Sequence, residues 1–208
     1  MCDALSFAPA RGQSTDTPTA SRPHTHNRTQ QIYAGTPMTV PTLFLDLDGT
    51  VRQGRDDALG KFVNGPEDVN VFPEAVVMMR RFKARGGRII GISNQGGIAL
   101  GVVTYERVKA AMAETQRQTG DLFDIILWCP HHPAAEGAVA CSCRKPAPGL
   151  LFAATAHLAF DHHELADMDT ARMVGDRPED REAANRAGIG FQFAAEWRAQ
   201  AADREETA

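Results

Sequence analysis

The chain predicts an α/β protein built on a parallel sheet, and three observations carry that prediction. Apolar, strand-like runs recur at 42–47, 88–93, 125–128, 172–174 and 190–193. Segments with helical periodicity separate them, the alternation that a parallel sheet requires. At 208 residues and 43% hydrophobic content, the chain can also bury one substantial core.

Each element has a local reason. The first run, Leu43-Phe44-Leu45-Asp46-Leu47-Asp48-Gly49-Thr50, is a buried strand that ends in two carboxylates. Gly49 frees the backbone to turn off the sheet, and Thr50 can hydrogen-bond back into the turn. Pro73 then opens a helix with Val76, Met79 and Phe82 on one face, and Gly86-Gly87 stops it. After the second strand, Thr104 can cap a helix in which Val108, Ala111, Met112 and Thr115 repeat at helical spacing. Pro148 starts a third helix and Pro178 a fourth, which ends at Gly188. Residues 1–37 are rich in Thr, Ser, Pro, Arg and Gln with almost no aliphatic periodicity, and are expected to be a disordered tail. Met38 then stands as the natural start, 38–195 as the folded domain, and 196–208 as a C-terminal helix or tail.

Composition excludes several classes of partner. A net charge of −4 gives no electrostatic reason to bind nucleic acid or a membrane surface. No apolar run approaches the roughly 18 residues of a membrane span, and the N-terminus lacks the apolar core of a secretory signal. Three of the four cysteines cluster with histidines, which favours a metal site in a reducing compartment over a disulfide framework and points to the cytoplasm.

The chemistry concentrates after strands. Side chains two apart on a strand share a face, so Asp46 and Asp48 can meet one substrate together. One carboxylate can attack phosphorus while the other handles the proton on the leaving or entering oxygen. A bare D-x-D is also what an acidic strand end looks like, but four apolar residues before it and Gly-Thr after it favour catalysis. Ligand crevices in such sheets lie at the carboxyl ends of the strands, where Asp46, Ser93, the Arg144-Lys145 loop and Asp176 would converge. Taken singly, Ser93 is a turn former, Asp176 a turn aspartate and Arg144-Lys145 a solvated basic pair. The stretch from Gly54 to Lys61 superficially suggests a phosphate-binding P-loop. Five residues separate Gly54 from Gly60, however, and Phe62 stands where Ser or Thr should follow Lys61.

The octet around Asp46 resembles the nucleophile motif of the haloacid dehalogenase superfamily of phosphatases, and three further motifs follow in the expected order. They are Ile89-Ile90-Gly91-Ile92-Ser93-Asn94-Gln95, Arg144-Lys145-Pro146 and Met173-Val174-Gly175-Asp176-Arg177-Pro178-Glu179-Asp180. The resemblance implies a three-layer Rossmann-like sheet. It also implies a capless member, because the intervals after Gly49 and after Ser93 are too short for a folded lid. Asp46 would be the nucleophile and Asp48 the general acid and base. Magnesium would be held by the Asp46 carboxylate, the Asp48 carbonyl and the Asp176 carboxylate. Ser93 and Asn94 would donate to the phosphoryl oxygens, Lys145 would bring positive charge to them, and Arg144 and Arg177 would contact substrate. The implied substrate is a small phosphorylated metabolite.

Cys129, His131, Cys141 and Cys143 offer four nitrogen and sulfur ligands of the kind a closed, structural zinc site uses. On spacing alone His132 can replace His131. The segments Cys129-Pro130-His131-His132 and Cys141-Ser142-Cys143-Arg144-Lys145-Pro146 resemble the zinc-containing subgroup of heptose-bisphosphate phosphatases and histidinol-phosphate phosphatase domains, which favours His131. Heptose 1,7-bisphosphate is the leading substrate the resemblance implies. Histidinol phosphate, a 3′-phosphorylated strand end and a silent zinc-stabilised binding protein are the alternatives. The chain departs from the subgroup at Leu47, where both kinds of enzyme usually carry Arg, and at Leu100, where the heptose enzymes carry Arg. Arg52, Arg55, Lys61 and Arg144 are the candidate contacts for a second anionic group.

Overall fold

The computed structural model describes residues 3–6, 38–54, 63–138 and 140–202. In chain order the elements are β1 (Asp3–Ser6), β2 (Met38–Val40), β3 (Thr42–Leu45), β4 (Arg52–Gln53), β5 (Asn70–Val71), α1 (Pro73–Lys83), β6 (Arg88–Asn94), α2 (Tyr105–Thr119), β7 (Ile125–Cys129), α3 (Gly149–Asp161), β8 (Glu164–Ala166), β9 (Arg172–Gly175), α4 (Pro178–Ala187), β10 (Gly190–Phe193) and α5 (Ala194–Ala199). The main sheet has the order β1-β7-β6-β3-β9-β10, parallel throughout except for β1, which runs antiparallel to β7. Two small pairings, β2 with β8 and β4 with β5, stand apart from it.

The strands read as continuous apolar runs because both faces of the sheet are covered, and successive side chains enter opposite layers. Phe44, Ile90, Ile92, Ile125, Leu127 and Met173 pack with Leu150, Leu151, Ala154 and Leu158 of α3 and Ala183 and Ala184 of α4. Leu43, Leu45, Ile89, Ile126, Trp128 and Val174 pack on the other face with α1, α2 and α5 through Ala75, Met79, Val108, Met112 and Trp197. The result is the expected three-layer sandwich. From β3 the chain steps outward to β6 and β7 over one face, then returns on the other side of β3 to β9 and β10 over the opposite face. That reversal beside β3 opens a crevice at its carboxyl end. Among the described residues no separate cap domain covers it.

The helix signals hold at residue level. The Thr104 side chain accepts the Arg107 amide at the start of α2, and Gly120 and Gly188 end α2 and α4 with positive φ of 75° and 74°. The tails differ from expectation in two places. Asp3–Ser6, within the segment expected to be disordered, pairs with Ile125–Trp128 as an edge strand. Backbone groups on the open side of β7 accept a strand whatever its side chains, so composition carries little signal for such pairing. The remainder of 1–37, including Cys2, His24 and His26, lies outside the described residues, as do Arg55, Lys61 and 203–208. At the other end, α5 starts before the expected boundary at 195 and buries Trp197 in the core. Arg81 donates to the Gln200 and Ala201 carbonyls at 2.8 and 2.9 Å and ties down the end of that helix.

Candidate functional site

The loop that carries Asp46 leaves β3 at the switch point, where the Asp46 amide donates to the Val174 carbonyl of β9 at 2.9 Å. Gly49 is required there on two grounds. Its φ is +92°, and a Cβ would lie 2.3 Å from Asp176 Oδ2. Arg198 of α5 donates to the Gly49 and Thr50 carbonyls at 2.8 and 2.7 Å, holding the turn from outside. Thr50 turns back as expected, its hydroxyl donating to Asp46 Oδ2 at 3.2 Å.

Lys145 organises the centre. Its ammonium lies 2.5 Å from Asp46 Oδ1 and 2.7 Å from Asp180 Oδ1, and donates to the Ile92 carbonyl at 3.1 Å. Asp46 is 7% exposed and Lys145 4%, so these are desolvated charges in close contact. Burial pushes the ammonium down, but Asp46 and Asp180 outweigh it and carry Lys145 up to about 12. One cation shared between two acids does not fully offset the burial of Asp46. Burial, with Lys145 opposing and Asp180 reinforcing it, lifts the Asp46 carboxyl to about 7. Burial also raises Asp176 above the ordinary carboxylate range.

Asp48 faces a separate set of partners. Arg52 donates through Nε to Oδ1 at 2.9 Å, and Gln95 donates through Nε2 to Oδ2 at 2.8 Å. Ser93 sits behind that pair, accepting from Gln95 Nε2 at 2.8 Å and reaching Asp48 Oδ2 at a long 3.5 Å. Asn94 clasps the backbone of Lys145, donating to its carbonyl and accepting from its amide, both at 3.0 Å. Its side chain therefore fixes the lysine backbone while keeping a second amide hydrogen to donate. Arg144 donates to the His131 carbonyl at 3.0 Å, while Arg177 Nε stands 3.9 Å from Asp176 Oδ1.

The small crevice lined by Asp46, Asp48, Ser93, Asn94, Lys145 and Arg177 opens sideways into a cavity of about 530 Å³. Val63, Leu100, Val102 and Val103 form an apolar wall of that cavity, while Arg144, Arg177 and His132 form a basic one. Leu47, the other departure from the subgroup, is buried in the core beneath the site. Three contributors escaped the sequence reading. In sequence Gln95 and Asp180 are only members of motifs, and Arg52 reads as a substrate-facing cation. Arg52 is instead fully buried, so it cannot reach a remote group on a substrate.

Asp46, Asp176 and Asp180 bring carboxylate oxygens within 4.8 Å of one another. Asp176 Oδ1 is buried without a hydrogen-bond partner, an acceptor that a bound cation would satisfy. An all-oxygen donor set of this kind suits a hard divalent cation such as magnesium. The second cluster is Cys129, His131, Cys141 and Cys143. Its sulfur–sulfur separations of 3.2 and 3.7 Å and sulfur–nitrogen separations of 3.4 and 3.5 Å compare with edges of about 3.4–3.8 Å for a tetrahedron around zinc. His131 Nδ1 is the nitrogen that joins the sulfurs. The His132 imidazole instead accepts from the Ala134 amide at its own Nδ1, so the choice that spacing left open falls to His131.

A carboxylate just past the central strand, a lysine shared between acids and a cluster of carboxylate oxygens suit phosphoryl transfer on an open α/β sheet. The comparisons agree. A HAD-hydrolase-like family model matches residues 142–196. The D-glycero-beta-D-manno-heptose-1,7-bisphosphate 7-phosphatase of Yersinia pestis is 35% identical over 157 residues, covering 73% of this chain and 78% of that one. The enzyme of the same name from Escherichia coli K12 is 33% identical over 159 residues, covering 73% and 76%. Among solved structures, the D,D-heptose 1,7-bisphosphate phosphatase of B. bronchiseptica, complexed with magnesium and phosphate, superposes with a TM-score of 0.60. It is 27% identical and spans 77% of this chain and 87% of its own. This chain belongs to the haloacid dehalogenase-like hydrolases, and within them it is a phosphoric monoester hydrolase. No helix among the described residues is long and apolar enough to cross a membrane.

Proposed function

We propose that the chain is a magnesium-dependent phosphomonoesterase that works through an aspartyl phosphate on a small phosphorylated metabolite. The best-supported substrate is D-glycero-D-manno-heptose 1,7-bisphosphate, cleaved at the 7-phosphate. The single observation that carries the mechanism is the buried contact of Lys145 with both Asp46 and Asp180 at the end of β3. The substrate rests on the names of the relatives.

In this reading Asp46 Oδ attacks phosphorus. As the bond to the leaving oxygen breaks, a proton on Asp48 passes to that oxygen, giving a free alcohol and a phosphorylated Asp46. Asp48, now a carboxylate, takes a proton from water, whose oxygen attacks the same phosphorus and releases inorganic phosphate with Asp46 restored. Lys145 offsets charge on the nucleophile and on the transferred group throughout. Asp46, the Asp48 carbonyl, Asp176 and Asp180 would hold magnesium, which supplies charge neutralisation for two anions brought together. Cys129, His131, Cys141 and Cys143 would hold a structural zinc that ties Arg144 and Lys145 to the end of β7. The metabolite would bind in the cytoplasm, its non-reacting end in the 530 Å³ cavity.

The test is phosphorus NMR on the heptose bisphosphate with magnesium present. Loss of the C7 resonance before that of C1, absent in Asp46→Asn, is expected. No release above the Asp46→Asn background would refute the substrate.

A further inference from the structure

Arg52 is a buried cation that the mechanism above does not use, and its contacts show what it could do. The side chain is 0% exposed. A guanidinium in that position costs several kcal/mol to desolvate unless it is well paired. Four contacts pair it. Nε donates to Asp48 Oδ1 at 2.9 Å, and Nη2 approaches Asp48 Oδ2 at 3.5 Å. Nη1 donates to the Ala111 carbonyl at 3.2 Å and to the Thr115 hydroxyl at 2.6 Å, both on α2. Thr115 in turn donates to the Ala111 carbonyl at 2.7 Å, so the anchor on the helix is itself fixed. The guanidinium is therefore a planar strut with one edge on the core helix and the other on the Asp48 carboxylate.

The backbone reinforces the strut. The Gly49 amide donates to the Arg52 carbonyl at 2.8 Å, and the Arg52 amide donates to the Leu47 carbonyl at 3.0 Å, closing a tight loop around Asp48. Gln95 Nε2 contacts Oδ2 from the opposite side at 2.8 Å. Asp48 is otherwise a side chain on a turn with two free torsions, and a proton donor about 1 Å out of place loses much of its effect.

We propose that Arg52 is a positioning residue: braced on Ala111 and Thr115 of α2, it holds the Asp48 carboxyl in line with the leaving oxygen. The inference rests on Asp48 being the acid of the proposed function, and it goes beyond that reading by assigning the group that aims it. The Arg52 guanidinium meets Asp48 at its carboxylate, not at the carbonyl that would hold magnesium. Its loss should therefore matter where a proton must be delivered and matter little where the leaving group departs as an anion.

That difference supplies a readout a merely structural role would not move. The matched probes are 4-nitrophenyl phosphate, whose leaving group needs no proton, and 4-nitrobenzyl phosphate, whose alkoxide does. Both are turned over by wild type, Asp48→Asn, Arg52→Gln, Arg52→Lys and Thr115→Val. Because Arg52→Gln can fail to fold, Thr115→Val, which nearly preserves shape and removes only the anchor hydroxyl, carries the test as well. General acid catalysis contributes about 10²–10⁴-fold. A misaimed acid should lower kcat on the benzyl ester about tenfold more than on the phenyl ester in Arg52→Gln, and about threefold more in Thr115→Val. Arg52→Lys should recover part of the difference, and KM should change little. Equal losses on both esters in Thr115→Val and in every Arg52 variant that folds, with Asp48→Asn still selective for the benzyl ester, overturn the positioning role and leave the proposed function standing. No selectivity in Asp48→Asn overturns both.

Discussion

Asp46→Asn should make the magnesium-free protein more stable at neutral pH while abolishing turnover, because burial holds an ionised Asp46 carboxylate where its charge is unfavourable. Its carboxyl is lifted from 3.8 to about 7 by burial that a shared Lys145 does not fully offset. A raised carboxyl pKa means that the folded state binds the proton more tightly than the unfolded chain. Stability is then highest below about pH 4 for this group and falls as pH rises from there towards 7. The full displacement is about three pH units at 1.36 kcal/mol each. Because Asp180 shares the same lysine, the cost assigned to Asp46 is about 2–4 kcal/mol. Asn cannot ionise and keeps the side chain's shape. For a domain of this size 1 kcal/mol moves Tm by about 2–4 °C, so Asp46→Asn should melt about 4–16 °C higher than wild type at pH 8 with no magnesium added. The two proteins should converge near pH 4. The assay is thermal melting from pH 4 to 8, with and without magnesium, which should stabilise wild type more than the variant. A variant that melts no higher than wild type at pH 8, or a difference that does not shrink on acidification, would refute the assignment of Asp46 as a strained buried carboxylate.

Three further outcomes are expected. Lys145→Met should reduce kcat about 10²–10³-fold, the scale of one preorganised electrostatic contact, in steady-state assays; a loss under tenfold would remove Lys145 from the chemistry. Metal analysis of the wild-type protein should find about one zinc per chain, and Cys143→Ser should release it and lower activity through the loop that carries Lys145; stoichiometric zinc retained in the variant would contradict the cluster. Arg144→Ala should lower kcat/KM for the bisphosphate more than for a matched monophosphate, since Arg144 lines the side cavity; equal losses would assign it to the transferred phosphate or to the fold.

The sheet and its helices were legible because their signals are local. Runs such as Ile89-Ile90-Gly91-Ile92 are apolar throughout only when both faces are covered, and Thr104, Gly120 and Gly188 mark helix ends by their own chemistry. The sites at strand ends followed from the topology those runs imply. What stayed hidden depended on contacts between distant positions. Arg52 reads as a surface cation until α2, about sixty residues further on, is laid over it. Asp180 reads as a favourable acid in a first helical turn until Lys145 is brought beneath it. The β1 strand reads as tail because its partner supplies the reason for it to be a strand.

The placement of the thiol cluster follows from where Lys145 lies. Lys145 sits on a connection between β7 and α3 without regular structure of its own, yet its ammonium must hold position against two buried carboxylates. Three tethers do this. Cys129 at the end of β7 joins Cys141 and Cys143 across the loop, Asn94 at the end of β6 clasps the Lys145 backbone, and the Gly149 amide at the start of α3 donates to the Ser142 carbonyl at 2.9 Å. The last is so close that a Cβ on Gly149 would lie 2.2 Å from that carbonyl oxygen. Two of the tethers are hydrogen bonds of the chain itself, and in the proposed function zinc completes the other. On that reading zinc occupancy reaches the active site through the loop that carries Arg144 and Lys145, so zinc loss should weaken the Lys145 contacts while leaving the Asp48, Gln95 and Arg52 contacts in place.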